Sequence, residues 1–391
     1  MKDAATDGRA RRRGLRAAFA IAVVAMTTAL GGCAGAGAPS AEAAAGKPFV
    51  LAGVSGLTEI AQLTGPDAMN DTESVAVAGT DLGSMVNVGD RTYFFFGDTF
   101  GERDPESTGG QGGIWRSNVA AYTTDDDPSD GITFDGWAPV DDVGWAAAMI
   151  EGEHDANNGR GEVTKIPTYG FAVGETLYIH YMSVSHWGEP GVWEANFAAL
   201  ARSDDGGETW QPVDGPRWEG DSNFIQVAAA HVSDGGREHV YFWGIPAGRL
   251  GGVALMRVPA DVDSVERLEA YSYYAGADQD GSPIWSDAVS DAELILGPTV
   301  GELSVMWSDY LERWVMTYSD AGNAYIREGL TPWGPWADPI EMVSSTDYWG
   351  LYSPYLNPRY TSEDGRTLYF TMSLWGPYNV FWFSVDLDRV E

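Results

Sequence analysis

Short apolar runs, rich in β-branched and aromatic residues, alternate with glycine-bearing turns along most of this chain. The pattern is clearest between Asp81 and Asp98. Residues 81–88 and 92–98 are both apolar and β-prone, and Gly89-Asp90 between them is a two-residue turn signal. That loop sets Val88 against Arg91. Counting back along the ladder then sets Asp81 against Asp98, with Cβ atoms about 4.5–5.5 Å apart on one face. A symmetric four-residue loop keeps the pairing and a three-residue loop breaks it. Further strands are expected at 117–123, 176–183, 197–203, 239–245, 252–258, 303–308 with 314–318, and 367–373 with 380–385. No convincing amphipathic helix follows residue 48. The expected class is all-β, in four or five sheets of about four strands, as in a β-propeller.

One motif sharpens that expectation. Ser203-Asp204-Asp205-Gly206-Gly207-Glu208-Thr209-Trp210 matches the Asp-box pattern Ser-x-Asp-x-Gly-x-Thr-Trp at every fixed position. It implies a tight hairpin between outer strands of a blade, so Asp205 is assigned a structural role. Asp-boxes occur in sialidases and in unrelated propellers; the arginine triad that holds a sialic carboxylate is not evident. The run Asn323-Ala324-Tyr325-Ile326-Arg327, followed by Trp333-Gly334-Pro335-Trp336, reads as another blade element, and similar runs occur in furanosidase propellers.

The N-terminus changes the picture of where the chain works. Arg9, Arg11, Arg12, Arg13 and Arg16 precede an apolar stretch from Ala17 to Leu30, which ends at Leu30-Gly31-Gly32-Cys33. This is the order of an export signal. The small residues before the only cysteine resemble the lipobox of bacterial lipoproteins. Residues 1–32 are therefore read as a lipoprotein signal, Cys33 as the lipidated residue, 33–48 as a flexible Ala/Gly/Ser/Pro tether, and 49–391 as one propeller domain. The expected location is the cell membrane, lipid-anchored and extracytoplasmic, with no other membrane attachment and a monomeric state. A simple cleaved signal or an uncleaved helix is the alternative.

The net charge of −34 makes nucleic acid a poor partner. Six of the 23 basic residues and only two of the 57 acidic ones precede Cys33, so the remainder is more acidic still. Acidic polysaccharides are disfavoured and neutral glycans compatible. The 16 Trp and 18 Tyr supply ring faces on which sugars stack, although core and sheet packing also uses such residues.

Like charges opposed on a sheet are unfavourable, and their repulsion raises one pKa while the other group stays ionised. One protonated and one ionised carboxyl group are the equipment of glycoside cleavage. Directly facing aspartates lean towards the shorter, retaining separation of roughly 5–5.5 Å. The alternative is that Asp81 and Asp98 satisfy nearby backbone amides, as aspartates beside glycine often do.

Taken together, Thr80-Asp81-Leu82-Gly83, Phe96-Gly97-Asp98-Thr99, Tyr178-Ile179-His180-Tyr181-Met182-Ser183 with Trp187, the Asn196 region, Trp307–Trp314 and Gly350–Pro358 resemble the family named domain of unknown function 4185. That family is associated with glycoside hydrolase family 183, the endo-D-arabinanases. The resemblance spans roughly Val54 to Asp388. It implies a five-bladed propeller cutting D-arabinofuranose chains of actinobacterial arabinogalactan and lipoarabinomannan, without a cofactor. It also implies an acidic pair in the first blade, at Asp81 and Asp98, with Asp81 as nucleophile or base and Asp98 as acid, or the reverse.

His180 shares a strand face with Tyr178 and Met182, where it can bind a sugar hydroxyl, tune a carboxylate or simply be an interior histidine. Arg116 and Asn118 follow the Gly-rich loop 109–113 and can position substrate or satisfy that loop. Trp187 and Asn196, in the aromatic loop 185–196, are favoured as substrate-binding residues. Tyr352 and Asn357 are weaker candidates of the same kind, and Glu162 and Glu194 are reserve acids. The acidic run 125–131 lacks EF-hand spacing and reads as a solvated hairpin tip. The alternative to an enzyme is a non-catalytic glycan-binding or protein-interaction propeller.

Overall fold

The structure, a computed structural model, describes residues 37–104 and 106–390. Cys33 and the arginine-rich leader lie outside the described residues. Among the described residues, five antiparallel sheets, each of four or more strands, account for the main architecture. Their first strands, Leu82–Val88, Thr164–Val173, Gln226–Asp234, Leu303–Ser308 and Leu351–Thr361, touch one another in a closed ring. The fold is a five-bladed β-propeller with those strands around its axis.

Consecutive side chains on a strand point to opposite faces, so a strand packed on both sides reads as a continuous apolar run. Arg91–Phe96 shows this. Phe95 meets Trp210 of the second blade edge to face, with ring centroids 5.8 Å apart, while Phe94 reaches Trp382 of the fifth blade at 6.5 Å. Trp243 and Trp314 fill the space between the third and fourth blades, 5.9 Å apart. The axis itself is plugged. Tyr169 Oη lies 3.0 Å from Ser304 Oγ, and a bond between the second and fourth blades has to cross the centre of the ring.

The ring is closed by mixing the two ends of the chain. Leu51–Gln62 forms the outer strand of the fifth blade, against Asn379–Arg389. Buried Glu328 fastens this clasp by accepting from the amides of Val50 and Leu51, at 2.9 and 2.7 Å. It also pairs with buried Arg313 at 3.1 Å.

The expected tether runs over 33–48, of which 33–36 lie outside the described residues and 38–48 differ from the expectation. From Ala38 the chain packs on the propeller. Ala41 donates its amide to Ser233 and accepts company in the core, where it and Ala44 are almost wholly buried. Small alanines let this segment lie flat, so a composition that signals flexibility in isolation serves close packing on the propeller. The Ser203–Trp210 turn joins Trp193–Ser203 to Gln211–Glu219. There Asp205 accepts from the Thr209 amide and hydroxyl, at 2.9 and 2.6 Å, and Trp210 Nε1 donates to the Gly207 carbonyl.

Candidate functional site

The turn at Gly89-Asp90 does pair Val88 with Arg91, and the ladder runs in that register as far as Ser84 and Phe95. Beyond it the expectation fails by one residue. Leu82 and Gly83 take positive φ values of 69° and 90°, a bulge forms, and Leu82 pairs with Phe96. Asp81 therefore lies against Gly97, whose amide donates to the Asp81 carbonyl at 3.1 Å, and not squarely against Asp98. Gly79 pairs again with Phe100, so residues 97–99 form a compensating kink opposite Asp81. The two irregularities open the hairpin at the point where both carboxylates sit.

Asp98 leads into an excursion of the blade, the ribbon Thr99–Glu102 with Gly113–Arg116. Trp115 Nε1 and Thr164 Oγ1 both donate to Asp98 Oδ1, at 2.8 and 2.5 Å. Tyr352 donates to Asp81 Oδ2 at 2.9 Å, whereas Asp81 Oδ1 is buried without a hydrogen-bond partner among the described residues. Burial raises the Asp81 pKa to about 7. The charge of Asp98 adds to the rise, Glu302 adds a little more, and Tyr352 and Tyr378 ease it. Burial also raises Asp98 to about 7, eased by Thr164 and Trp115. Two carboxyl groups that both resist ionisation can each hold a proton near neutrality, so one can give a proton while the other, ionised, attacks or accepts.

The wall opposite the pair comes from the third and fourth blades. Arg249 binds Glu302 through Nε and Nη2, the latter 2.6 Å from Oε1, and Ser319 donates to Glu302 at 2.8 Å. Burial opposes the Glu302 charge, but Arg249 and Ser319 outweigh it and hold the pKa below its usual value. The Arg249 guanidinium then lies 5.0 Å from the centre of the Tyr352 ring and 5.5 Å from that of Trp193. Gln226 Nε2 holds the loop before Arg249 through the carbonyls of Pro246 and Gly248. Asp81, Thr164, Gln226, Glu302 and Tyr352 all stand at the beginning of an inner strand. They rim one mouth of the axis.

Of the candidates read from the sequence, Asp81, Asp98 and Tyr352 meet at this mouth. The others are elsewhere or already engaged. Arg116 points its guanidinium at the carbonyls of Ala76 and Ala146, and burial lowers its pKa to about 10. Asn118 is fully buried and spends its amide on the carbonyls of Ile150 and Lys165 and the amide of Ile150. His180 is an interior histidine. Its Nδ1 lies 2.8 Å from Thr168 Oγ1, its ring 5.3 Å from Trp218, and burial lowers its pKa to about 3. Trp187 packs on Trp193 at 5.5 Å, and its main chain is clasped by Asn157. Asn196 bonds Ser183 and the Gly161 carbonyl. Asn357 is buried against Asn87, and Glu162 pairs with Lys165 at 2.7 Å. Glu194 is exposed.

Trp115, Thr164, Arg249, Glu302 and Tyr378 were missed. Trp115 is the neighbour of Arg116, and on a strand neighbours face opposite ways. Among the described residues no group of three or more His, Cys, Asp or Glu is placed to hold a metal ion.

Residues 67–384 match the family described as Domain of unknown function (DUF4185). The chain belongs to that family. No curated protein matches this DUF4185 chain. Among solved structures it is similar to a putative hydrolase from Bacteroides ovatus ATCC 8483, at 13% identity and a TM-score of 0.53, over 79% of this chain and 86% of that one. A looser likeness joins it to a xylan beta-1,4-xylosidase from Bacillus Halodurans C-125, at 14% identity and a TM-score of 0.43, over 81% of this chain and 54% of that one. An exo-beta-1,3-galactanase from Phanerochaete chrysosporium shares 9% identity and a TM-score of 0.46, over 84% and 64%. The likeness to the Bacteroides protein, at 13% identity, is one of fold.

Proposed function

We propose that this DUF4185 protein is a glycoside hydrolase that cleaves furanoside linkages of a neutral glycan. The observation that carries the reading is the convergence of Asp81 and Asp98 at one mouth of a plugged propeller, with both carboxyl groups raised to about 7. Asp98 Oδ1 receives two donors, which favour its anion. Asp81 feels the charges of Asp98 and Glu302, which disfavour its anion, so we assign the proton to Asp81. This reverses the first of the two orders read from the sequence.

In the reaction, the Asp81 proton passes to the glycosidic oxygen as the bond from that oxygen to the anomeric carbon breaks. Asp98 either attacks that carbon or takes a proton from the water that does. The resemblance to endo-D-arabinanases supports the D-arabinan of actinobacterial cell walls as the substrate. The arginine-rich leader ending at Cys33 supports an anchor outside the membrane through lipidated Cys33; labelled palmitate incorporation that persists in Cys33→Ala would refute it.

Product release from mycobacterial arabinogalactan tests the activity. Oligosaccharides are expected from the parent chain and at least a hundredfold less from Asp81→Asn and Asp98→Asn. Undiminished release by both variants would remove the assignment, and a folded parent that binds the polymer without cutting it would leave a glycan-binding propeller.

A further inference from the structure

Two exposed tryptophans at the head of the fifth blade remain unused by this chemistry. Trp349 is 68% exposed and Trp375 46% exposed, although large aromatic side chains are usually covered. They lie at the entrance to the fifth blade, where Leu351–Thr361 pairs with Thr367–Leu374. Leu351 faces Leu374, so Gly350 falls beside Trp375 and Trp349 beside Gly376. The Trp375 amide donates to the Gly350 carbonyl at 2.9 Å. A Cβ on Gly376 would come 3.8 Å from the Trp349 ring, so the indole lies along a glycine that offers no side chain to cover it.

Trp375 is exposed yet held in place. A Cβ on Gly109 would lie 2.4 Å from its Cζ2, so the loop backbone is pressed against the ring edge. Arg103 secures that loop by donating to the carbonyls of Gly109 at 2.8 Å and Ser107 at 3.3 Å. It also donates to Pro377. On the inner side Trp375 meets Tyr378 edge to face at 5.7 Å and Tyr352 at 6.5 Å. Tyr352 is the donor to Asp81. An aromatic path thus leads from the exposed edge of Trp375 through Tyr378 and Tyr352 to the carboxyl pair, with exposed Trp349 one ladder position away, beside Gly376.

We propose that Trp349 and Trp375 form a stacking platform for successive sugar units of a neutral glycan chain whose reacting linkage lies at Asp81 and Asp98. The inference rests on the hydrolase reading for the position of the linkage. Exposed ring faces suit the apolar C–H faces of sugars, and holding Trp375 in place before binding limits the entropy lost on contact. The net charge of −34, with Asp347 on the same segment, selects against an anionic polymer. Continuity with the carboxyl pair makes a polymer, threaded along that path into the mouth, the fitting occupant.

Affinity electrophoresis of the full chain tests the platform, with Asp98→Asn present to stop digestion and arabinogalactan, xylan or polygalacturonate cast in the gel. Retardation by arabinogalactan is expected, with the dissociation constant raised roughly tenfold or more by Trp349→Ala and by Trp375→Ala. Circular dichroism and melting curves are run on each variant, and Trp375→Phe is expected to recover part of the binding. Equal retardation of parent and both alanine variants would overturn the proposal, as would no retardation by either neutral polymer or equal retardation by polygalacturonate. Product release by the parent chain is measured separately. Binding that depends on the tryptophans without any release would remove the hydrolase reading and leave the platform standing.

Discussion

Asp81 Oδ1 occupies the place where a side chain on Gly97 would begin: a Cβ there would lie 2.4 Å from that oxygen. Gly97 does not have a positive φ, so its backbone accepts other residues and its bareness answers to the carboxylate. In Gly97→Ala the carboxyl group has to move while the blade keeps its ladder. Activity on arabinan is expected to fall about 100-fold, the scale of an ångström-sized displacement of a reacting group. The melting temperature should change by only a few degrees. Full activity in Gly97→Ala would mean that the position of Asp81 is unimportant to the reaction.

The raised carboxyl pKa values set the pH behaviour. A group whose folded pKa lies above its unfolded value stabilises the fold relative to its ionised state below the unfolded pKa, and that stability is lost as pH rises through the folded pKa. For Asp81 and Asp98 the window runs from about 4 to about 7. Asp81→Asn should therefore stabilise the protein at pH 8 by an amount of order 3 kcal/mol, with a smaller gain at pH 5. Denaturant melts at the two pH values would show it. The parent's kcat/KM should follow a bell centred near neutrality, with limbs belonging to the pair and not to either residue alone.

What was legible in the sequence followed from strong local signals. The Tyr93-Phe94-Phe95-Phe96 run and the Gly89-Asp90 turn announced their hairpin because burial on both faces and turn chemistry are both written locally. The inner strands Thr164–Val173, Gln226–Asp234 and Leu351–Thr361 were not foreseen. Pro167 and Gly170, the small Ala228-Ala229-Ala230 run, and Pro354 with Pro358 blur the β signal, and only the closed ring compensates for it. In the site, Asp81 and Asp98 stood out because glycines bracket them. The bulge at Leu82-Gly83 did not, since it depends on how the first blade meets the fifth: a Cβ on Gly83 would meet Val380 at 3.1 Å. Arg249 and Glu302 lie 53 residues apart with no motif around either, so only the tertiary fold pairs them.

That pair supplies a third prediction. Glu302 raises the Asp81 pKa, and Arg249 sits over the ring of the tyrosine that binds Asp81. Glu302→Gln removes a negative charge and leaves the guanidinium less neutralised, and both changes favour the Asp81 anion. The alkaline limb of the kcat/KM profile should move to lower pH, and activity at pH 7 should fall with it. A purely structural Glu302 would lower the yield of folded protein without moving the limb.

The clasp between the chain ends rests on Glu328, which serves two amides and Arg313 without access to water. Glu328→Leu strands both amides and leaves the buried Arg313 charge without its counter-ion, and a loss of about 3–5 kcal/mol is expected from urea unfolding. Arg313→Leu in the same chain removes the buried charge and should recover part of that loss. A double variant less stable than Glu328→Leu by the full amount of Arg313→Leu alone would show that the two residues do not act as a unit.

The division of labour between the two aspartates is open to a direct chemical test. If Asp81 carries the proton, its removal matters only when the leaving oxygen needs one. Asp81→Asn should then retain far more activity on an aryl arabinofuranoside with an acidic phenol, such as a dinitrophenyl glycoside, than on the polymer. Asp98→Asn should lose both, because neither substrate can do without the group that attacks or activates water. The reverse pattern would make Asp98 the acid. In that case the two donors at its Oδ1 would be holding a carboxyl group whose free proton lies on Oδ2, and Tyr352 would be stabilising the Asp81 anion as the nucleophile or base.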